Sequence, residues 1–197
     1  MRPPSGLAHR VKREGGYTLS EMIVVLAILG FVLSALLAVF VSGTRAETNM
    51  NKRFQAQQQS RLALTQMRRE IHCAYGAQTN AAAVPDAATV DASVLTLSFG
   101  SYCTTPPAAG NYQVTYCAVS LGVQRYGLYR QAGTTCSSAG RRVADYLTTG
   151  TLFGYLAPSG SIPRITISLP VDLDPSNPAG SYQLQDAITL RNSARTP

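Results

Sequence analysis

The sequence predicts an α+β protein in which one long N-terminal helix packs on an antiparallel β-sheet. A run of twenty uncharged residues, 22–41, lies near the N-terminus, and no proline interrupts the chain between Pro4 and Pro85. Proline strongly disfavours a helix interior, so its absence allows a helix to continue well past the apolar run. After residue 93, short strand-like segments follow one another with Pro and Gly between them, which is typical of an antiparallel sheet.

The apolar run predicts a membrane-spanning helix half at residues 22–41. About 20 residues at roughly 1.5 Å each cross a bilayer core, whereas the apolar part of a cleaved signal peptide is only about 7–15 residues long. Residues 1–16 form a polar leader with four Arg or Lys, and no such cluster follows the run directly. We therefore expect a single-pass protein of the cytoplasmic membrane, with its N-terminus inside and the rest exported.

The second half of the predicted helix, which spans residues 17–75 in all, is amphipathic. Apolar residues recur at helical spacing along one side, and charged residues fall on the other. Such a stripe predicts packing against a globular head, which we place at residues 76–197. The stripe consists of Met50, Phe54, Leu64, Met67, Ile71 and Tyr75.

The head is predicted to be rich in β-strands. Alternation of apolar and polar residues indicates a strand at 94–99, and segments 112–121 and 124–131 form a predicted hairpin around Gly122. Further strands are expected in the segments TLFGYL, RITISL and YQLQDAITLRN.

The net charge of +7 is concentrated beside the membrane segment. Residues 1–16 carry four cations against one carboxylate (+3), 17–75 carry six against three (+3), and 76–197 carry seven against six (+1). Nucleic-acid binding needs a basic face, so this distribution makes it an unlikely function of the head. The head arginines whose position would decide the point are Arg125, Arg130, Arg141, Arg142 and Arg164.

Four cysteines, Cys73, Cys103, Cys117 and Cys136, follow the apolar run without CxxC or zinc-site spacing. In an exported head they predict two disulfides. Three pairings are possible; we favour Cys103 with Cys117, within neighbouring strands, and Cys73 with Cys136, tying the helix end to the sheet. No cluster of nucleophile, acid and base is evident, so we expect neither an enzyme nor a cofactor.

Residues 16–21, Gly-Tyr-Thr-Leu-Ser-Glu, followed by the apolar run, resemble the prepilin motif of type IV pilins and type II secretion pseudopilins. In that family a membrane aspartyl peptidase cuts after the glycine and methylates the new N-terminal residue, which is normally Phe. The resemblance implies cleavage between Gly16 and Tyr17, N-methylation of Tyr17, and a role in filament assembly for Glu21, the fifth mature residue. It implies a pilin-like fold, with prepilin peptidase, other pilins or pseudopilins and an inner-membrane assembly platform as partners, and a cell-surface or periplasmic filament as destination.

The subtype is less determined by the sequence. The segment RLALTQMRREI, before a β-rich head, and the lack of proline at residues 36–39 resemble the minor pilin W and minor pseudopilin J groups. An abundant fibre subunit, a tip pilin that binds DNA or a surface ligand, and a signal-anchored surface protein unrelated to pili are the alternatives. Some family members bind calcium where this chain has Asp172 and Asp174, but a solvated turn is the favoured interpretation of these residues.

Overall fold

The computed structural model describes residues 16–81, 90–103, 112–156, 162–173 and 181–194. The expected α+β architecture is confirmed: one long N-terminal helix packs on an antiparallel, curled β-sheet. Contacts group the chain into two units, Met1–Thr48 and Asn49–Pro197. The helix, α1, runs from Leu19 to Cys73 and contributes residues to both units.

In the first unit, α1 is apolar and exposed all round. An 18-residue window has a mean hydropathy of 3.0, and none of it is buried within the protein. By length and composition this helix could cross a membrane. Because no other part of the described chain covers these side chains, lipid or other helices would have to do so.

In the second unit, α1 buries one narrow face against the sheet. The buried residues are Ala56, Ser60, Ala63, Leu64, Met67 and Ile71. The expected stripe was wrong at its start, because Met50 and Phe54 are 71% and 66% exposed. At about 100° per residue, Phe54 lies roughly 140° around the helix from Met67, which is too far to share its face.

Among the described residues, eight strands form the sheet, and every pairing between them is antiparallel. They are β1 (Gly76–Thr79), β2 (Val94–Ser98), β3 (Gln113–Gly122), β4 (Arg125–Ala132), β5 (Arg141–Leu147), β6 (Phe153–Leu156), β7 (Arg164–Val171) and β8 (Tyr182–Thr189).

The strand order is β1-β2-β3-β4-β5-β7-β6, and β8 pairs with β7. The sheet curls far enough that Ala92, just before β2, bridges Phe153 of β6. The hairpin predicted around Gly122 is confirmed, with a register shift between Ser120 and Gly122. This curl encloses the core, whose largest fully buried side chains include Tyr116, Phe153, Met67 and Ile71.

Candidate functional site

Residues 16–18, which directly precede α1, are non-helical and exposed. Gly16, Tyr17 and Thr18 lie outside the helix, which begins at Leu19. The side chain of Tyr17 is 80% exposed. The peptide bond between Gly16 and Tyr17 therefore lies in non-helical backbone, next to the first turn of the helix.

Thr18 and Glu21 form a reciprocal cap on that first turn. The backbone N–H of Thr18 donates to Glu21 Oε2 at 2.9 Å, and the backbone N–H of Glu21 reaches Thr18 Oγ1 at 3.4 Å. The Thr18 carbonyl accepts hydrogen bonds from the backbone N–H groups of Glu21, at 3.1 Å, and Met22, at 3.2 Å. This arrangement is a capping box, in which the side chain of each residue accepts a hydrogen bond from the backbone N–H of the other.

The cap also accounts for the hydrogen bonds that the Glu21 carboxylate accepts within the described chain. The Thr18 hydroxyl also donates to Oε2, at 2.9 Å. Among the described residues, both groups that donate to the carboxylate belong to Thr18, and both bond to the same oxygen. The negative charge also lies in the first turn, where the helix dipole favours it. Sequence reasoning missed this role, although the Thr-x-x-Glu spacing before an apolar run is its signature.

The structure pairs all four cysteines, but not in the way we favoured. Cys73 is bonded to Cys103 and Cys117 to Cys136, with Cα–Cα distances of 5.9 and 6.0 Å. The reason is that side chains alternate along β3. Tyr116 faces α1, where its hydroxyl bonds Glu70, so Cys117 faces away from the helix and cannot meet Cys103 in the core.

A polar network fastens the helix to the strands under it. Glu70 accepts hydrogen bonds from the Tyr116 hydroxyl at 2.7 Å, from Arg130 Nε at 3.0 Å and from Gln66 Nε2 at 3.1 Å. Burial, together with the neighbouring Glu70 charge, raises the pKa of Tyr116 above its usual range. Burial alone would lower the pKa of Arg130, but the hydrogen bond and charge of Glu70 outweigh it and leave that pKa raised.

The C-terminal end of α1 is capped from a distant part of the chain. Asn192 Nδ2 donates to the carbonyls of His72 and Cys73 at 2.9 and 3.2 Å. These carbonyls belong to the last helical turn, which has no helical partner for them. Arg68 of α1 also pairs with Asp186 of β8, with Nη2 lying 2.6 Å from Oδ2. Nothing in the local sequence pointed to Asn192 as a cap.

Most of the head arginines singled out from the sequence have partners. Arg125 and Arg142 both pair with Asp145, and Arg130 pairs with Glu70. Arg141 donates to the neutral side chain of Gln66 at 2.7 Å. The fifth, Arg164, is exposed at the start of β7. These pairings reduce the positive charge available to phosphates on the head.

The weak calcium candidates are only partly placed. Asp172 is 7% exposed, and its backbone N–H donates to the Tyr146 carbonyl at 3.0 Å. Asp174 lies outside the described residues. Within the described ranges, no group of three or more His, Cys, Asp or Glu side chains could hold a metal ion.

Comparison with known proteins finds one similarity. Residues 11–37 match the family model described as the prokaryotic N-terminal methylation motif. The match includes Gly16, Tyr17 and Glu21 and most of the apolar run. It supports a type IV pilin-like precursor that is processed by a peptidase. It also fits a protein that a single helix anchors in the membrane. It also favours a structural subunit over an enzyme. Comparisons with curated proteins and with solved structures find no match.

Proposed function

We propose that this chain is a minor pilin or pseudopilin, a structural subunit assembled into a type IV pilus or a type II secretion or competence pseudopilus. The observation that carries the proposal is the first turn of α1. An exposed Gly16–Tyr17 bond is followed by a capped helix start with one carboxylate, Glu21, and then by the apolar run, all within the methylation motif.

The peptide bond after Gly16 is the proposed cleavage site. A peptidase needs extended backbone in its active site, and residues 16–18 are outside the helix. Cleavage there leaves the cap intact, because Thr18 and Glu21 both remain in the mature protein. The new N-terminal amine, on Tyr17, is the group that would be methylated.

Glu21 is the proposed assembly residue. Its partner would be the freed amine of Tyr17 on a neighbouring subunit. Several kcal/mol would be lost if a carboxylate were packed among apolar helices without such a partner. The leader must be removed before this amine exists, so processing would license assembly. The remaining partners are prepilin peptidase and an inner-membrane assembly platform, and the destination is a surface or periplasmic filament.

The grouping with the minor pilin W and minor pseudopilin J groups belongs to the same proposal. It is supported by the proline-free helix and by the β-rich head. A DNA-binding tip pilin is not favoured, because Arg125, Arg130 and Arg142 are paired with carboxylates.

The intact mass of the mature protein tests the cleavage step. The full chain is produced with and without a prepilin peptidase, and the N-terminus is sequenced. We expect a start at methylated Tyr17 only when the peptidase is present. Gly16→Asp should abolish processing, whereas the matched variant Gly15→Ala should not. A mature start near Thr44 would instead indicate an ordinary signal peptide.

A further inference from the structure

Two arginines, Arg125 of β4 and Arg142 of β5, lie together on the face of the sheet that points away from α1. Arg130 of β4 faces the helix, where it contacts Glu70. Side chains alternate along a strand, so Arg125 and Tyr129 face the opposite way. We call Arg125 and Arg142 the arginine pair.

The arginine pair shares one buried carboxylate. Arg125 Nη2 and Arg142 Nη1 each lie 2.9 Å from Asp145 Oδ2, and Arg125 Nε lies 3.3 Å from Oδ1. The Asp145 side chain is only 7% exposed, whereas those of Arg125 and Arg142 are 41% and 51% exposed. The carboxylate thus holds both guanidinium groups in place while leaving much of each in contact with solvent.

An irregular strand builds this arrangement. Tyr129 of β4 pairs with Arg142 of β5, and Tyr126 pairs with Leu147. Between these two pairs the chain advances three residues on β4 but five on β5. The extra residues bulge, and bulges redirect side chains at the rims of sheets. Tyr146 has a φ of 60°, which an aromatic residue rarely adopts. This conformation is held by the bond from its N–H to Asp145 Oδ1, at 2.7 Å.

The strained tyrosine orients one arginine of the pair. The guanidinium carbon of Arg125 lies 4.3 Å from the centre of the Tyr146 ring, which is within stacking distance. One face of the guanidinium is therefore covered, and its Nε and Nη2 edge bonds to Asp145. A guanidinium has five N–H donors, so Arg125 retains donors for a further acceptor.

Arg142 is oriented by apolar packing beside it. A Cβ added to Gly127 would lie 2.9 Å from Tyr129 Cε2, 3.0 Å from Leu121 Cδ1 and 3.5 Å from Arg142 Cδ. The three side chains therefore converge above Gly127, and a Cβ there would displace the ends of Tyr129 and Leu121. Leu121 is 37% exposed, so an apolar surface adjoins the cations.

The charges of this cluster do not balance. Among the described residues, Asp145 is the carboxylate that pairs with either member of the arginine pair, so two cations face one anion. The hydrogen bond to Asp145 raises the pKa of Arg125, which ensures that it stays charged. A single arginine would suffice to neutralise Asp145, so the second leaves the cluster with an excess positive charge.

We propose that the arginine pair binds one carboxylate group of an external ligand, with Leu121 contacting the carbon skeleton that bears it. One carboxylate brings the cluster to neutrality and matches the fork of N–H donors on arginine. A phosphate with two charges would leave an excess negative charge beside Asp145. A long polyanion would need a row of cations, which a head of formal charge +1 does not offer. This site is independent of the proposed assembly role of Glu21.

The test uses the full chain in detergent micelles with ¹⁵N-labelled arginine, and follows the Nε–H NMR signals of Arg125 and Arg142. The probes are acetate, glucuronate and N-acetylglutamate amide, with inorganic phosphate and a short DNA duplex for comparison, all at constant ionic strength. We expect saturable shifts of both signals with the carboxylates. The tighter of glucuronate and N-acetylglutamate amide would tell whether the carboxylate belongs to an acidic sugar or to an acidic peptide.

Two variants make the test specific. Arg142→Gln should weaken carboxylate binding at least about tenfold, the loss expected for one charge-assisted contact. Arg164→Gln removes an exposed arginine elsewhere and should leave binding unchanged. Shifts that chloride reproduces, or that Arg142→Gln leaves intact, would overturn the proposal. So would tighter binding of phosphate or DNA than of any carboxylate.

Discussion

Glu70 of α1 and Arg130 of β4 form an ion pair in which Arg130 Nη2 lies 3.0 Å from Glu70 Oε1, and each side chain is only 18% exposed. The pair joins the helix to the middle of the sheet. Because Tyr116 and Gln66 bond to the same carboxylate, removing it would leave the buried Tyr116 hydroxyl and two partly buried side chains without this partner.

Glu70→Ala should therefore lower the free energy of unfolding by roughly 2–4 kcal/mol. The matched control is Arg68→Ala, which breaks the pair with Asp186. Arg68 is 53% exposed, so its loss should cost less than about 1 kcal/mol. Denaturant unfolding of the two variants in the same detergent compares these costs. Equal losses would mean that the Glu70 network is no stronger than a surface pair.

Tyr116 gives the protein a dependence on alkaline pH. Its pKa is raised from an ordinary value of 10.0, chiefly by burial and then by the charge of Glu70. Below about pH 10 the residue is protonated in both the folded and the unfolded state, and its contribution to stability is constant. Above that pH the unfolded chain releases the proton while the folded state keeps it, so stability falls by about 1.4 kcal/mol per pH unit.

Tyr116→Phe isolates this contribution. The variant loses the bond to Glu70 and should be less stable at neutral pH by about 1 kcal/mol or more. Between about pH 10 and 12 its stability should fall less steeply than that of the unmodified protein. The other tyrosines, including Tyr155, whose pKa burial also raises, are common to both proteins. Parallel slopes in that range would contradict the raised pKa of Tyr116.

The two disulfides should stabilise the head by similar amounts. Cys73–Cys103 and Cys117–Cys136 close loops of 30 and 19 residues, and each should contribute about 3 kcal/mol to stability. Peptide mapping under non-reducing conditions should recover these two pairs. A peptide that links Cys103 to Cys117 would contradict the assignment of Cys117 to the face away from α1. The paired variants Cys73→Ser/Cys103→Ser and Cys117→Ser/Cys136→Ser measure the two contributions separately.

The helix and six of the strands could be predicted because a repeating pattern marks each of them, whereas β1 and β5 were not predicted. β5 escaped prediction since Arg141, Arg142 and Asp145 interrupt its apolar residues, and its bulge breaks the two-residue period. The cysteine pairing depends on which face of β3 each side chain takes. That face is fixed by contacts such as the one between Tyr116 and Glu70, which lie 46 residues apart.

The candidate site was predictable to a different degree. Gly16, Tyr17 and Glu21 belong to a contiguous motif, so the sequence located them without any knowledge of the fold. The role of Glu21 in the cap could also have been predicted, because Thr18 lies three residues before it and Thr-x-x-Glu is the spacing of a capping box. The shared carboxylate of Asp145 could not be predicted, since Arg125 and Asp145 are brought together only by the pairing of β4 with the bulged strand β5.

The cap provides a way to separate two roles of Glu21. A glutamine at this position can still accept the Thr18 N–H bond, because capping boxes use either residue, but it carries no charge. We expect both Glu21→Gln and Glu21→Ala to insert in the membrane and fold their heads. Both should be impaired in joining a filament, since neither carries the negative charge that the proposed pair with the Tyr17 amine of a neighbour requires.

Thr18→Ala is the complementary variant in this last prediction. It removes the hydroxyl side of the cap, at a cost of about 1 kcal/mol, and leaves the Glu21 charge in place. If the charge is what matters for assembly, Thr18→Ala should be incorporated nearly as well as the unmodified chain. Crosslinking to partner pilins, normalised to the amount in the membrane, measures incorporation for all three variants. Normal incorporation of Glu21→Gln, with loss in Thr18→Ala, would reduce Glu21 to a helix cap and would remove the charge pair from the assembly mechanism.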